Sequence, residues 1–437
     1  MRMRTTNRVT VVGAGLAGSE AAWQLATRGI PVLLLDMKPE KYSPAHHMPE
    51  CAELVCSNSL KAEHLANASG LLKAEMKTFD SLIVRAAEQC RVPAGAALAV
   101  DRERFAAEVT RALDGHPLIA RETALVQKMP EAPAILATGP LTDPALTDAL
   151  AGLPGIRALN FFDAAAPIIE AESIDLSKVF RASRYEKGSD YLNCPMSREE
   201  YDAFYEALLS AELAEVHDFE KKLVFEGCLA VEILASRGKQ TLAFGPLKPV
   251  GLVDPRTGRE PHAVVQLRQE NEAGTLYNMV GFQTRLKWGE QKRVFSMIPG
   301  LENAVFARYG VMHKNTYING PTALSRNYAW KEDPAVRFAG QFSGVEGYVE
   351  SAASGLVAAI GLACHLSGRP EPDFTGETLL GALERYVRTP SSDFQPMNAN
   401  FGILDPMDKK IRTKKLRYEA MSARSLARLD GVFAALN

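Results

Sequence analysis

The run VTVVGAGLAG, residues 9–18, decides the fold. Four β-forming residues lead straight into Gly13-x-Gly15-x-x-Gly18, and SEAAWQLATRG continues with a helical pattern. In such a strand–turn–helix the first glycine allows the tight turn. The second lets a pyrophosphate approach the backbone, and the third lets helix and strand pack closely. Phosphates then rest on unpaired N–H groups at the helix N-terminus, where the dipole favours negative charge. PVLLLD closes a second strand at Asp36, near the roughly 20-residue offset of an acid that holds a ribose hydroxyl. Glycine-rich turns alone are common; here strand, helix and acid fall in register. Gly13, Ala14, Gly15, Leu16, Ala17, Gly18 and Asp36 are therefore the candidate dinucleotide-binding residues. The motif does not separate FAD from NAD.

A chain of 437 residues has room for two or three domains with ample core. Hydrophobic residues at 46% and charged residues at 23% are ordinary for a globular protein. The formal charge of −2 excludes a protein that is basic all over, but not one with a local basic stripe for nucleic acid. No apolar run approaches the roughly 18 residues of a membrane span, and Gly355–Leu366 reads as a short buried helix. Residues 1–8 are basic but lead directly into the first strand, with no signal-peptide core. Cys51, Cys56, Cys90, Cys194, Cys228 and Cys364 form no CxxC pair and are too sparse for a disulfide framework. The expected compartment is the cytoplasm, with thiols reduced.

A polar loop, Lys41 to Ser59, follows the first βαβ unit, then helical patterns over 60–90 and DRERFAAEVTRAL at 101–113. PAILATGP, 133–140, reads as a buried strand. From about 156 the texture changes. SREEYDAFYEALLSAEL opens with a capping box, Ser197 and Glu200. KLVFEGCLAVEIL, TLAFGPLKPVGLVDP and HAVVQLRQE read as strand-like and turn-rich. At 336 the nucleotide-domain texture returns as strand, glycine turn and long apolar helix, with Gly340, Gln341, Gly344 and Gly347 in the turn. The expected fold is α/β: a discontinuous Rossmann-like FAD-binding domain, 1–155 with 325–437, and an inserted mixed α/β domain, 156–324. A late helix aimed at a flavin ring can stabilise the reduced ring's negative charge. That second turn tilts the cofactor towards FAD and adds Gly340 and Gln341 to the candidates.

Several strings are more specific. HHMPECAELVCSNSLKAE (46–63), YLNCPMSREEY (191–201), FEGCLAVEILASRGKQTLAFGPLKPVGLVDP (225–255), YNMVGFQTRLKWGEQKRVFSMIPGLENA (277–304), YGVMHKNTYINGP (309–321) and GQFSGVEGYVESAASG (340–355) form the series. Nearly end to end, the chain resembles the folate- and FAD-dependent tRNA (uracil-5-)-methyltransferases. The resemblance implies methylenetetrahydrofolate as carbon donor, reduced FAD as hydride donor and NADH or NADPH as reductant. It implies 5-methyluridine at position 54 of the tRNA T loop as product, and no obligate protein partner. By motif, the LVCSNSL cysteine is Cys56 and the FEGC cysteine is Cys228, both functional thiols in that family. Cys51 departs from the pattern: it is either an incidental buried thiol or a competitor in labelling Cys56.

Uracil C5 is a poor nucleophile until something adds at C6, and a thiolate suits that addition. A base must then remove the C5 proton, and a hydride must reduce the exocyclic methylene. The preferred assignment is Cys228 as C6 nucleophile and Cys56 as general base or guardian of the one-carbon unit, with exchanged roles left open. Cys90, Cys194 and Cys364 read as small buried hydrophobes. His46 and His47 lack further ligands at usable spacing, so no metal is expected. They suit a polar loop near a phosphate or the folate glutamate, and His313 either contacts folate or flavin or is a structural histidine.

RNA needs local positive charge. Lys409, Lys410, Arg412, Lys414, Lys415, Arg417, Arg424 and Arg428 supply it near the C-terminus, and Arg285, Lys287, Lys292 and Arg293 form a second group. The target uridine is expected to be extruded from its stack. One alternative is the larger flavoprotein that modifies wobble uridines, whose long C-terminal extension this chain is too short to carry. The other is a small-molecule FAD oxidoreductase, which would explain neither the basic tail nor the Cys56/Cys228 pair.

Overall fold

The computed structural model describes residues 8–186, 188–214, 229–392, 394–408 and 410–436, and the backbone alone at 161–163, 186 and 312–314. Strand β1 (Val9–Val12), helix α1 (Leu16–Ala26) and strand β2 (Val32–Asp36) form the first unit. β1 is the middle strand of a five-stranded parallel sheet, ordered 336–338, 134–136, β1, β2, 119–123. Its register against β2 runs from Val9 opposite Val32 to Val12 opposite Leu35. Both faces of such a sheet are covered, which is why β1 and Ala134–Leu136 are so rich in buried apolar residues.

Helix Tyr348–Leu366 covers one face and packs on α1. Gly355 sets that crossing, because a Cβ there would lie 2.1 Å from the Ala17 carbonyl oxygen. Contrary to the expectation of a short run, this 19-residue helix is long and apolar enough to cross a bilayer, but 83% of the apolar window is buried in the fold.

A second sheet of six strands is antiparallel, in the order 180–181, 191–196, 263–269, 276–279, 168–170, 306–308. Helices Arg198–Leu209, Val231–Ser236 and Trp288–Phe295 help build its separate core, centred on Tyr201, Phe204, Phe282 and Phe295. The capping box is present: Ser197 Oγ accepts the Glu200 N–H at 3.2 Å, and Glu200 accepts the Ser197 N–H at 2.7 Å. Between the two sheets runs a ribbon in which Ala158–Ala164 pairs antiparallel with Met312–Ile318.

Three local expectations change. Residues 59–62 are a strand, not helix, and pair with Ala97–Val100 in a small sheet that also holds Arg91–Val92. VEILAS, 231–236, is helical, with the Glu232 carboxylate accepting from Thr284 Oγ1 at 2.9 Å and the Arg285 N–H at 3.1 Å. Lys239–Phe244 is helical too. In apolar runs this short, tertiary contacts override what periodicity suggests.

Candidate functional site

The glycine turn has the conformation its spacing demands. Gly13 has φ +96°, and a Cβ on it would lie 2.5 Å from the Ala137 carbonyl oxygen. A Cβ on Gly18 would come within 1.7 Å of the Gly13 carbonyl oxygen, so helix and strand touch there. Gly15 is the N-cap of α1, with no side-chain capping bond, and a Cβ on it would meet open space. Asp36 accepts the Ala14 N–H at 2.6 Å and the Lys38 N–H at 2.9 Å. Its carboxylate thus ties the turn to the end of β2 while still lining the cleft.

That cleft, about 130 Å³, brings together Gly13, Gly15, Leu16, Ala17, Asp36, Gly340 and Gln341. Ala14 and Gly18 lie behind it, one held by Asp36 and the other against Gly13. Gly340, at φ +74°, donates its N–H to Ser354 Oγ at 2.7 Å, and Gln341 bonds Glu346. His46 also lines the cleft and its Nδ1 lies 2.5 Å from Ser43 Oγ; burial pushes its pKa down. His47 donates its backbone N–H to the Glu53 carboxylate at 2.8 Å. Among the described residues no group of three His, Cys, Asp or Glu could hold a metal ion.

A second cavity of about 250 Å³ adjoins the first, sharing Val55, Pro140, Leu141, Gln341, Tyr348 and Ser351 with it. Cys56 is on its wall, half-buried, with Sγ 3.9 Å from the Ala164 carbonyl oxygen. The loop carrying Cys56 is held from several sides. Tyr348 Oη accepts the Cys56 N–H at 2.7 Å and the Ser57 N–H at 3.1 Å. Desolvation first, and the neighbouring thiol next, push the Tyr348 phenol pKa up.

Arg102 Nη1 reaches the Leu54 carbonyl at 2.5 Å, Arg308 bonds the Val55 carbonyl, and Arg268 Nε meets Asn58 Oδ1 at 2.8 Å. Arg102 is itself paired with the buried Glu270 of the antiparallel unit. Burial lowers the pKa of Arg268 and of Arg308. Three guanidinium groups therefore converge on the Cys56 loop where the two sheets meet.

Cys228 lies outside the described residues, as do Lys409 and the side chain of His313. Cys51 is 1% exposed and burial raises its thiol pKa, so it is a core thiol. Cys90, Cys194 and Cys364 are likewise buried. The basic groups divide. Lys410, Arg412, Lys414 and Lys415 are exposed, whereas Arg424 and Arg428 each face Glu377 at 3.7 Å. In the second group Arg285, Lys287 and Arg293 are matched by Glu232, Glu212 and Glu290.

Tyr348 and the three arginines escape a sequence reading because each sits in an ordinary helix or strand pattern. Asn58, inside LVCSNSL, is the one nearby signal.

A parallel sheet whose first strand turns through glycines into a helix, with an acid closing the next strand, defines a Rossmann-like dinucleotide-binding protein. Residues 8–370 match the family described as glucose inhibited division protein A, and the chain belongs to that family. It is 56% identical over 424 residues to the methylenetetrahydrofolate–tRNA-(uracil-5-)-methyltransferase of Halalkalibacterium halodurans, spanning 97% of this chain and 98% of that protein. Its identity to the enzyme of that name from Desulfitobacterium hafniense is 57% over 430 residues, 98% of each chain. The fold is shared with GidA of Aquifex aeolicus, at TM-score 0.70 and 14% identity over 100% of this chain and 75% of that one.

Proposed function

We propose that this chain methylates C5 of a uridine in tRNA, with methylenetetrahydrofolate as carbon donor, FAD as hydride carrier and NADH or NADPH as reductant. Position 54 of the T loop is the proposed target. One observation carries the reading: Cys56 lies on the wall of a cavity continuous with the dinucleotide cleft. The relatives' shared name supplies the substrates.

The cleft's chemistry fits FAD. Gly15 leaves open space where a pyrophosphate would approach, at the N-terminus of a helix with no side-chain cap. Asp36, held by two backbone N–H groups, keeps lone pairs for a ribose hydroxyl. Gly340 and Gln341 would flank the ring, facing the long helix's N-terminus. Bound and reduced, the flavin supplies the hydride that turns the methylene into a methyl group.

The protein's own work is to bind and activate the base. A thiolate adds to uracil C6 and makes C5 nucleophilic; a second group takes the C5 proton once the carbon is attached. Cys228 is assigned the first role and Cys56 the second, a division supported by the place of Cys56 in the cavity adjoining the cleft proposed for the cofactor. Tyr348 holds the Cys56 backbone, and Arg102, Arg308 and Arg268 hold Leu54, Val55 and Asn58 on either side, so the thiol approaches the base at a set distance. Lys410 and Arg412 before the C-terminal helix, and Lys414 and Lys415 in its first turn, are proposed to meet RNA phosphates. The two separate cores support two units, proposed as 1–155 with 325–437 and 156–324, with Ile156, Tyr317, Ile318, Ala323 and Leu324 at the seam packing into the first core and Ala166 to Ala304 into the second.

The test supplies T-loop RNA, methylenetetrahydrofolate labelled in its methylene carbon, FAD and NADPH. Label is expected in 5-methyluridine, and its absence refutes the reading. Cys228→Ala is expected to stay yellow and make no methyl product.

A further inference from the structure

Lys61 has an unusual backbone: its φ of 63° is left-handed, a conformation that strains any residue with a Cβ. Its side chain lines the inner cavity with Cys56 and Tyr348. The ammonium lies 3.0 Å from Oε1 of Glu350, a wholly buried carboxylate in the first turn of the 348–366 helix. That oxygen also accepts the Ala399 N–H at 3.0 Å, while Oε2 has no hydrogen-bond partner among the described residues. A Cβ on Gly347, the helix N-cap, would come 2.9 Å from the ammonium.

A cation is thus held at the positive end of a helix, where the dipole opposes it. The ammonium is 43% exposed beside a wholly buried carboxylate, so its cavity side is open to a further partner. Negative charge arriving in the cavity would supply that partner and offset the dipole.

Thiolate addition to uracil creates such a charge. The Sγ–C6 bond forms, the C5=C6 π pair moves into conjugation with the C4 carbonyl, and O4 becomes an enolate oxygen. No group leaves, and nothing is oxidised or reduced. We propose that Lys61 is a catalytic residue that donates an ammonium N–H to O4 of the uracil as this oxyanion forms, with Glu350 holding the ammonium in place. The inference rests on the proposed methyl transfer to uridine C5. Lys61 lines the inner cavity and not the dinucleotide cleft, which favours the incoming base over the anchored cofactor.

The test measures tritium release from T-loop RNA carrying [5-³H]uridine, with methylenetetrahydrofolate and NADPH present. Lys61→Met is expected to slow release about 100-fold, as removal of one oxyanion donor does, with flavin spectrum and reduction midpoint unmoved. Lys61→Arg keeps the charge but not the shape and is expected to stay within about tenfold of wild type. Slowing of Lys61→Met by less than about tenfold, ~1.4 kcal/mol of barrier, overturns the assignment. A shifted reduction midpoint also overturns it, by placing the ammonium on the flavin. Should Lys61→Met not fold, Lys61→Gln is read by the same criteria. Wild-type protein that makes no 5-methyluridine refutes the methyl-transfer reading instead, so the two failures are distinct.

Discussion

The glycine turn separates two substitutions that spacing alone would rank together. In Gly18→Ala the new methyl would sit 1.7 Å from the Gly13 carbonyl oxygen and 3.3 Å from the Ala137 Cβ. The first contact is backbone, which no rotamer change relieves, so α1 must move away from β1. Overpacking of this kind costs ~1–3 kcal/mol, and a backbone clash belongs at the top of that range. In Gly15→Ala the methyl meets open space. The apoprotein should then change by less than ~1 kcal/mol, the usual size of a Gly-to-Ala effect where the backbone tolerates it. That open space is where the pyrophosphate is proposed to lie, so FAD affinity should fall at least about tenfold, ~1.4 kcal/mol. Urea unfolding of the two apoproteins and FAD titration followed by flavin fluorescence measure both quantities. A Gly15→Ala protein that binds FAD as wild type does, or a Gly18→Ala apoprotein of wild-type stability, would refute the reasoning.

Cys56→Ala should keep the flavin spectrum and lose methyl transfer in the labelled-folate assay. Iodoacetamide on the native protein should modify Cys56 and spare Cys51, which is 1% exposed, as peptide mapping would read. Arg102→Met strands Glu270 and should cost ~3–5 kcal/mol, while the double variant with Glu270→Met should recover much of it in urea unfolding. Glu75 is buried, and desolvation outweighs its bonds from Ser425, Leu379 and Leu380 to push its pKa up from 4.5 to about 7. The folded state therefore holds the extra proton between those values, and stability falls as pH rises through that window, by on the order of 3 kcal/mol in full. Urea midpoints of wild type against Glu75→Gln, at about pH 5 and about pH 8, should show that loss in wild type alone.

The first βαβ unit was legible because the backbone forces glycine at 13 and 18 while position 15 is left open for a ligand, and such reasons leave a fixed spacing. Ser197 and Glu200 were legible likewise, since a capping box is local. The inner cavity was not. Tyr348 meets Cys56 across 292 positions of chain and Arg308 meets Val55 across 253, and no local pattern encodes such pairs. The strand at 59–62 and the helix at 231–236 were missed for a related reason, being too short to declare a period against their tertiary contacts.

The ribbon of 158–164 against 312–318 has one further consequence. Both passages of the chain between the parallel-sheet unit and the antiparallel unit run side by side, so the two units share a single axle rather than two separate tethers. Ala164, at the end of one of its strands, presents its carbonyl oxygen to the Cys56 thiol. Any swing of the antiparallel unit about that axle would shift the polar surroundings of the sulfur before it altered the grip on the nucleotide.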